Sequence, residues 1–250
     1  MLKKFFYILV SLILTLLLTV FQRITGPTYP VKGDLDYNGR NVRYKLPRSC
    51  TIKKSECIAY IYKNDVNAYI SWKRLGVDEE FKKIYFKSDG NKSIVIIPDD
   101  FMPASKIEYD FYVDGKKINL NKIVLRFKNE VRRWILISHI FFMFLSLVIC
   151  FYLFLEVVFE KKFSSKVFWA NYLSMFIGGF VLGALLQKEA FGIFWSGFPF
   201  GSDVTDNKVL VSFIFWSYAA YRLLKGFESR KAILISFFIT ILTYLIPHSF

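Results

Sequence analysis

The residues best suited to chemistry in this sequence are two histidines and a short run of oxygen-bearing side chains. The histidines are His139 and His248. Imidazole nitrogens bind haem iron and other metals, so these two are the candidate cofactor-binding residues, with a bis-histidine haem as the chemistry they would support. Asp203, Asp206 and Asn207 lie close together in the chain, and their oxygens are the kind that hard divalent cations prefer. They are the candidate metal ligands.

The same residues also have structural interpretations. Asp203 or Thr205 would cap a following helix by accepting its free backbone N–H groups, and Asp206 would favour the positive end of that helix. A histidine in a hydrophobic helix is commonly a packed, hydrogen-bonded side chain. The chain contains no P-loop, GxSxG, HExxH or CxxC pattern. The sequence therefore predicts no cofactor and favours a protein that is not an enzyme. The alternative is that the chain binds a divalent cation or haem.

Hydrophobic segments determine where these residues would lie. Of 250 residues, 54% are hydrophobic and 28 are Phe, and most of this excess falls in residues 5–21 and after residue 134. Residues 5–21 are uncharged and lack a small-residue cleavage site, which favours an uncleaved anchor over a signal peptide. Further membrane spans are predicted at residues 134–159, 167–187, 209–221 and 232–246, making about five transmembrane helices.

The distribution of positive charge predicts the topology. Lysines and arginines gather before the first span, between the second and third, and between the last two, which indicates that these segments are cytoplasmic. The prediction is an N-terminal anchor at 1–22, an extracytoplasmic domain at 23–132 and a four-helix membrane domain at 133–250 with an outer loop at 188–208. Both histidines and both aspartates then lie on the outer side. We expect His139, Asp203, Asp206 and His248 to approach one another there.

The extracytoplasmic segment has the pattern of an all-β domain. Short stretches rich in β-branched and aromatic residues alternate with turn signals such as Asn38-Gly39 and Asp114-Gly115, which suit two-residue turns with positive φ. This spacing predicts an antiparallel sandwich of the immunoglobulin or fibronectin kind, with Trp72 in its core. Cys50 and Cys57 lie in the same domain and would form a disulfide in an oxidising compartment if their geometry fits.

Two features of the membrane segments predict close packing. Gly179 and Gly183 are four residues apart in the third hydrophobic segment, and this spacing of small residues lets helix backbones approach in lipid. The outer loop at 188–208 mixes aromatic residues with glycines and a proline, which prevents a plain helix through it. We expect this loop to fold against the helices.

Two short motifs resemble a known family. They are Thr25-Gly26-Pro27-Thr28-Tyr29-Pro30 and the run Gly197-Phe198-Pro199-Phe200-Gly201 that leads to Thr205-Asp206-Asn207-Lys208. With the anchor, β-domain and four-helix layout, they resemble a family of bacterial envelope membrane proteins of unknown activity. The resemblance implies a location in the bacterial cytoplasmic membrane and assigns no catalytic residues.

The excess of positive charge in the chain indicates which binding partners to expect. The net charge is +14, and residues 23–133 hold 23 Lys and Arg against 14 Asp and Glu. Nucleic acid is not an expected partner of an exported domain, whereas the lipid bilayer, an anionic cell-wall polymer or another envelope protein is. The sequence thus favours a membrane protein that binds or scaffolds a partner through its β-domain. The alternatives are a membrane enzyme or metal or cofactor protein with an outer-leaflet site, and a transporter accessory subunit.

Overall fold

The computed structural model describes residues 2–54 and 57–246, so the predicted site residue His248 lies outside the described part of the chain. Residues 28–130 form one compact unit, here the β unit. The segments before and after them form a second, here the helical unit.

The β unit contains two sheets. The first has the strand order β1-β2-β4-β8-β7, and the second has the order β3-β11-β9-β5-β6 with β10 paired to β9. Strands β3 and β11 pair in parallel, and the other described pairs are antiparallel. The strands are β1 (Val31–Tyr37), β2 (Arg40–Leu46), β3 (Ser49–Thr51), β4 (Ile58–Ile61), β5 (Ala68–Arg74), β6 (Lys82–Tyr85), β7 (Lys87–Asp89), β8 (Lys92–Ile96), β9 (Lys106–Val113), β10 (Lys116–Lys117) and β11 (Ile123–Lys128).

The predicted tight turns are confirmed. Asn38 and Gly39 have φ of 54° and 73°, and they connect β1 to β2. Asp114 and Gly115 have φ of 47° and 76°, and they connect β9 to β10. Positive φ at both central residues matches the right-handed twist of the strands, which is why Asn-Gly and Asp-Gly are favoured there.

The two sheets share one hydrophobic core. Alternate residues of the central strands point into it, and Ile70, Tyr109 and Phe111 are fully buried. Trp72 is 7% exposed, which confirms its predicted place in the core. Between β6 and β7 the chain passes from one sheet to the other at the buried Phe86.

Asn119 interrupts the strand that the sequence predicts after Asp114-Gly115. Only Lys116–Lys117 continue the hairpin, and β11 begins at Ile123. The Asn119 side-chain oxygen accepts a hydrogen bond from the Phe111 N–H at 2.6 Å, in the place of a strand partner. Its side-chain nitrogen donates to Asp110 at 2.9 Å. A side chain that bonds the neighbouring backbone offers an alternative to the ladder, so the strand divides here.

Cys50 and Cys57 form a disulfide, with their Cα atoms 5.4 Å apart. Both side chains are buried in the core of the β unit. The geometry therefore allows the disulfide that the sequence analysis made conditional on it. Cys150, in the helical unit, is a buried free thiol.

The helical unit contains three helical segments that are long and apolar enough to cross a membrane, counted over the described residues. They are α1, α2 and the continuous segment formed by α3, a π-helix and α4. Two shorter helices complete the unit. The elements are α1 (Leu2–Thr25), α2 (Arg133–Glu160), α3 (Ser165–Met175), the π-helix (Phe176–Leu182), α4 (Gly183–Phe191), α5 (Val204–Leu224) and α6 (Arg230–Leu245).

Glycines let the π-helix approach its neighbours, at Gly178 and Gly179, whereas Gly183 of the predicted Gly179–Gly183 pair makes no such close approach to another helix. A Cβ atom at Gly178 would lie 3.1 Å from the backbone nitrogen of Met143 in α2. A Cβ atom at Gly179 would lie 2.6 Å from Val209 in α5. A larger residue would push these neighbours away, so α2, the π-helix and α5 pack closely at these two positions.

Candidate functional site

The loop between α4 and α5 is held by side chains from the first turn of α5. One Asp206 carboxylate oxygen accepts hydrogen bonds from the Ser196 N–H at 2.6 Å, the Gly197 N–H at 3.1 Å and the Ser196 hydroxyl at 3.1 Å. The Asn207 side-chain oxygen accepts from the Phe198 N–H at 2.7 Å. A Cβ atom at Gly197 would lie 2.7 Å from that of Asp206, so this contact requires glycine.

The same loop packs on the π-helix, as the sequence predicts for a loop that folds against the helices. The Trp195 ring stacks on Phe180, with ring centres 5.5 Å apart and an angle of 14° between the planes. The Trp195 indole N–H donates to the Phe198 carbonyl at 3.1 Å. The aromatic residues thus fix the loop on one side, and Asp206 with Asn207 fixes it on the other.

Asp203 caps α5. Its side chain accepts hydrogen bonds from the Thr205 N–H at 2.9 Å and the Asp206 N–H at 3.2 Å, so the capping interpretation is confirmed for Asp203. One side-chain oxygen each of Asp203, Asp206 and Asn207, the residues proposed as metal ligands, therefore accepts from backbone donors. Within residues 2–54 and 57–246, no three His, Cys, Asp or Glu side chains are placed to hold a metal ion.

His139 lies in the second turn of α2 and bonds to the π-helix. Its Nδ1 is 2.9 Å from the carbonyl oxygen of Gly178. A carbonyl oxygen can only accept, so Nδ1 carries the proton and donates. In the neutral ring, Nε2 then keeps its lone pair. π-helical turns inside α-helices occur frequently at functional sites, and this one supplies the carbonyl that selects the histidine tautomer.

A cavity of about 310 Å³ lies beside His139 within the helical unit. Its volume is at the lower end of the range for small-molecule sites, about 300–1,000 Å³. The lining is mainly apolar and comes from α1, α2, α3, α5 and α6. The polar side chains around it include Gln22, His139, Thr205, Lys208 and Ser212.

His139 and the two aspartates have different hydrogen-bond partners among the described residues. His139 shares the cavity wall with Thr205 and Lys208 of α5, whereas Asp203 caps that helix and Asp206 binds the loop. The expected approach of His139 and the two aspartates to His248 stays a prediction, because His248 is outside the described residues.

Sequence reasoning missed the cavity and the π-helix. The available signals were the adjacent glycines Gly178 and Gly179 and a histidine in the preceding hydrophobic segment. Neither identifies a cavity, because its walls come from five helices that are distant in the chain.

A second candidate site lies on the outer face of the first sheet of the β unit. Two rows of side chains cross the strands. In the first row, Lys32 of β1 is opposite Lys45 of β2, and Lys45 is opposite Tyr60 of β4. In the second row, Asp34 is opposite Arg43, whose carbonyl accepts from the Tyr62 N–H at 2.9 Å. We name this surface the tyrosine–lysine face: Lys32, Asp34, Arg43, Lys45, Tyr60, Tyr62 and Lys92.

Lysines border the two tyrosine rings of this face. The rings of Tyr60 and Tyr62 are 6.4 Å apart, with 20° between their planes. The Lys92 Nζ atom is 5.9 Å and 5.6 Å from their centres, and the Lys45 Nζ atom is 5.9 Å from Tyr60. Tyr62 is 46% exposed, so its ring is accessible to a ligand. Cations at this distance are attracted to the ring faces and hold positive charge beside them.

The face is electrostatically positive. It holds four cationic side chains and the Asp34 carboxylate, and Asp36 and Asp89 lie beside it on the same side of the sheet. Tyr44 lies behind it, where burial, and then the Asp34 carboxylate, raise the pKa of the Tyr44 phenol. Tyr44 therefore stays neutral at physiological pH and leaves the positive charge of the face unchanged.

Comparisons with family models, with curated protein sequences and with solved structures find no match to this chain.

Proposed function

We propose that this chain is a multi-pass protein of the bacterial cytoplasmic membrane that binds an acidic envelope polysaccharide through an extracytoplasmic β unit. In this proposal α1 is the N-terminal anchor, and α2, α3 with the π-helix and α4, α5 and α6 form the membrane domain. The β unit is an immunoglobulin- or fibronectin-like sandwich. Three long apolar helical segments support the membrane location. The Cys50–Cys57 disulfide supports an oxidising compartment for the β unit.

The tyrosine–lysine face is the observation that carries the binding proposal. Exposed tyrosine rings offer flat, partly apolar surfaces on which sugar rings can stack, and the adjacent cations would pair with uronate or phosphate groups. The strand register places both features in two parallel rows, which suits an extended polymer. Charge complementarity favours an acidic polymer over a neutral one.

Binding to defined polysaccharides tests this function. The full-length protein in detergent should bind immobilised polyuronate and should not bind dextran, and added salt should weaken binding. Tyr62→Ala and the double change Arg43→Gln/Lys45→Gln should each lower affinity by about tenfold. Lys82→Gln/Lys116→Gln removes the same charge elsewhere in the β unit and should have little effect. Equal losses in the two double variants would indicate non-specific attraction and would refute the proposal.

The proposed orientation has a separate test. Single cysteines at Ser88 and Ser202 should react with a thiol reagent that cannot cross the membrane, whereas a cysteine at Ser164 should not. The native cysteines give a low background, because Cys50 and Cys57 are bridged and Cys150 is buried. Labelling of a cysteine at Ser164 from outside would show that the proposed orientation is wrong.

A further inference from the structure

We infer that the cavity beside His139 binds one chain of a membrane lipid whose head carries a hydroxyl group, and that this hydroxyl donates a hydrogen bond to His139 Nε2. The inference rests on the helical unit alone. It holds whether or not the β unit binds a polysaccharide.

The cavity wall changes from polar to apolar along the helices. Gln22 is near the end of α1, His139 is near the start of α2 and Thr205 is near the start of α5, so most polar groups gather at one end of the unit. Ser212 lies seven residues beyond Thr205, and its hydroxyl is bonded to that of Thr243. Leu147 lies eight residues beyond His139, about 12 Å further along α2. Met175 lines the wall at the end of α3. A ligand that fits this gradient has a polar head and an apolar chain.

The hydrogen bond from His139 to Gly178 determines which head group fits. Because Nδ1 donates to that carbonyl at 2.9 Å, Nε2 is the ring nitrogen left to interact with a ligand. Among the described residues, no hydrogen-bond partner of Nε2 is found. A lone pair accepts from a hydroxyl, repels a carboxylate and cannot donate to an ester carbonyl. A head group that bonds to His139 Nε2 must therefore be a donor.

Close packing holds this tautomer in place. Gly178 lies against α2, where a Cβ atom would be 2.9 Å from the Met143 sulfur, so its carbonyl is kept near His139. The Gly183 N–H also donates to the Gly178 carbonyl, which anchors that oxygen within the π-helix. A histidine whose one nitrogen is fixed by a backbone carbonyl presents the other in a defined direction.

The cavity opens on the outside of the helical unit. Ile140 lines it and is 56% exposed, and its neighbour Ile137 is 64% exposed. An opening bordered by exposed aliphatic side chains on a long apolar helix faces lipid if α2 crosses a membrane. A ligand that enters there comes from the bilayer, which argues for a lipid over a water-soluble molecule.

Photolabelling of the full-length protein in detergent tests the inference. The probe is a sixteen-carbon alcohol with a diazirine in its chain, and the labelled residues are identified by peptide mass spectrometry. We expect adducts on α2 between Ile140 and Leu147. Unlabelled hexadecanol should compete at least tenfold better than its methyl ether, because the ether cannot donate and one hydrogen bond is worth about 1.4 kcal/mol. Equal competition by the ether or stronger competition by palmitate at pH 9 overturns the inference.

Variants give an independent readout. His139→Ala should remove the preference for alcohol over ether, while Ile140→Trp should block the opening and lower labelling of α2 by at least tenfold. Ile235→Trp adds the same ring at an exposed position of α6 that does not line the cavity, and it should label as the unmodified protein does. Unchanged labelling in Ile140→Trp contradicts the proposed entry. The comparison of alcohol with ether uses the unmodified protein, so it decides the matter even if a variant misfolds.

Two lipids distinguish the source of the hydroxyl. Mono-oleoylglycerol and a polyprenol both carry a chain and a hydroxyl, and each is added as a competitor. Displacement of the probe by either supports the inference and identifies the class as acylglycerol or polyprenol. Failure of both to displace the probe contradicts it.

Discussion

The carboxylate of Asp206 should determine whether the loop between α4 and α5 stays closed. In the structure it accepts two backbone N–H bonds, from Ser196 at 2.6 Å and Gly197 at 3.1 Å, and a third bond from the Ser196 hydroxyl. Hydrogen bonds to a charged group contribute about 1.5–3 kcal/mol each. Taking the lower value for the two backbone bonds, Asp206→Ala should make local opening easier by about 3 kcal/mol.

Hydrogen exchange measures this opening directly. The exchange rate of a protected amide follows the free energy of local opening, and about 1.4 kcal/mol corresponds to a tenfold change. We expect the amides of Ser196 and Gly197 to exchange about 100-fold faster in Asp206→Ala. Asp206→Asn keeps a neutral acceptor of about half the strength and should increase exchange by about tenfold.

Asp203→Ala is the matched control. It removes a carboxylate three residues earlier that caps α5, so it should speed exchange at Thr205 and Asp206, by an amount that corresponds to about 1 kcal/mol. Protection at Ser196 and Gly197 should remain. If these two amides exchange in Asp206→Ala at the rate of the unmodified protein, Asp206 does not hold the loop and its contacts are incidental.

Three further predictions concern a disulfide, a carboxyl group and a glycine. Replacing Cys50 and Cys57 together by Ser should destabilise the β unit by about 2.5 kcal/mol, the value for a short closed loop, and denaturant unfolding would measure it; an unchanged midpoint would contradict this. Hydrogen bonds from Arg74 hold the pKa of Glu79 down at about 2 from its usual 4.5, so stability from this pair is present above pH 4.5 and lost as the pH falls towards 2. An NMR titration should find that midpoint near 2, and Arg74→Ala should move it towards 4.5. Gly178→Ala should lower the stability of the helical unit by about 1–3 kcal/mol in thermal unfolding, since its Cβ would meet α2; a gain, the usual effect of Gly→Ala in a helix, would show that the packing is loose.

The sequence by itself determined the features that depend on neighbouring residues. The turns at Asn38-Gly39 and Asp114-Gly115 follow from residues that tolerate positive φ, and the cap at Asp203 follows from a carboxylate just before a helix. The long apolar segments follow from composition. Each of these choices is made within a few residues of chain, where local sterics and hydrogen bonding outweigh distant contacts.

The tertiary structure decided what depends on residues far apart in the chain. Nothing local predicts that the chain passes between sheets at Phe86, or that Asn119 bonds the backbone of β9 and divides the predicted strand. In the sequence, Asp206 is consistent with a metal ligand and with a charge at a helix end. Only the folded loop shows that its carboxylate accepts hydrogen bonds from loop N–H groups. His139 acquires its tautomer only when a π-helix places the carbonyl of Gly178 beside it. A buried polar group must find a partner, and only the packed fold determines which one is within reach.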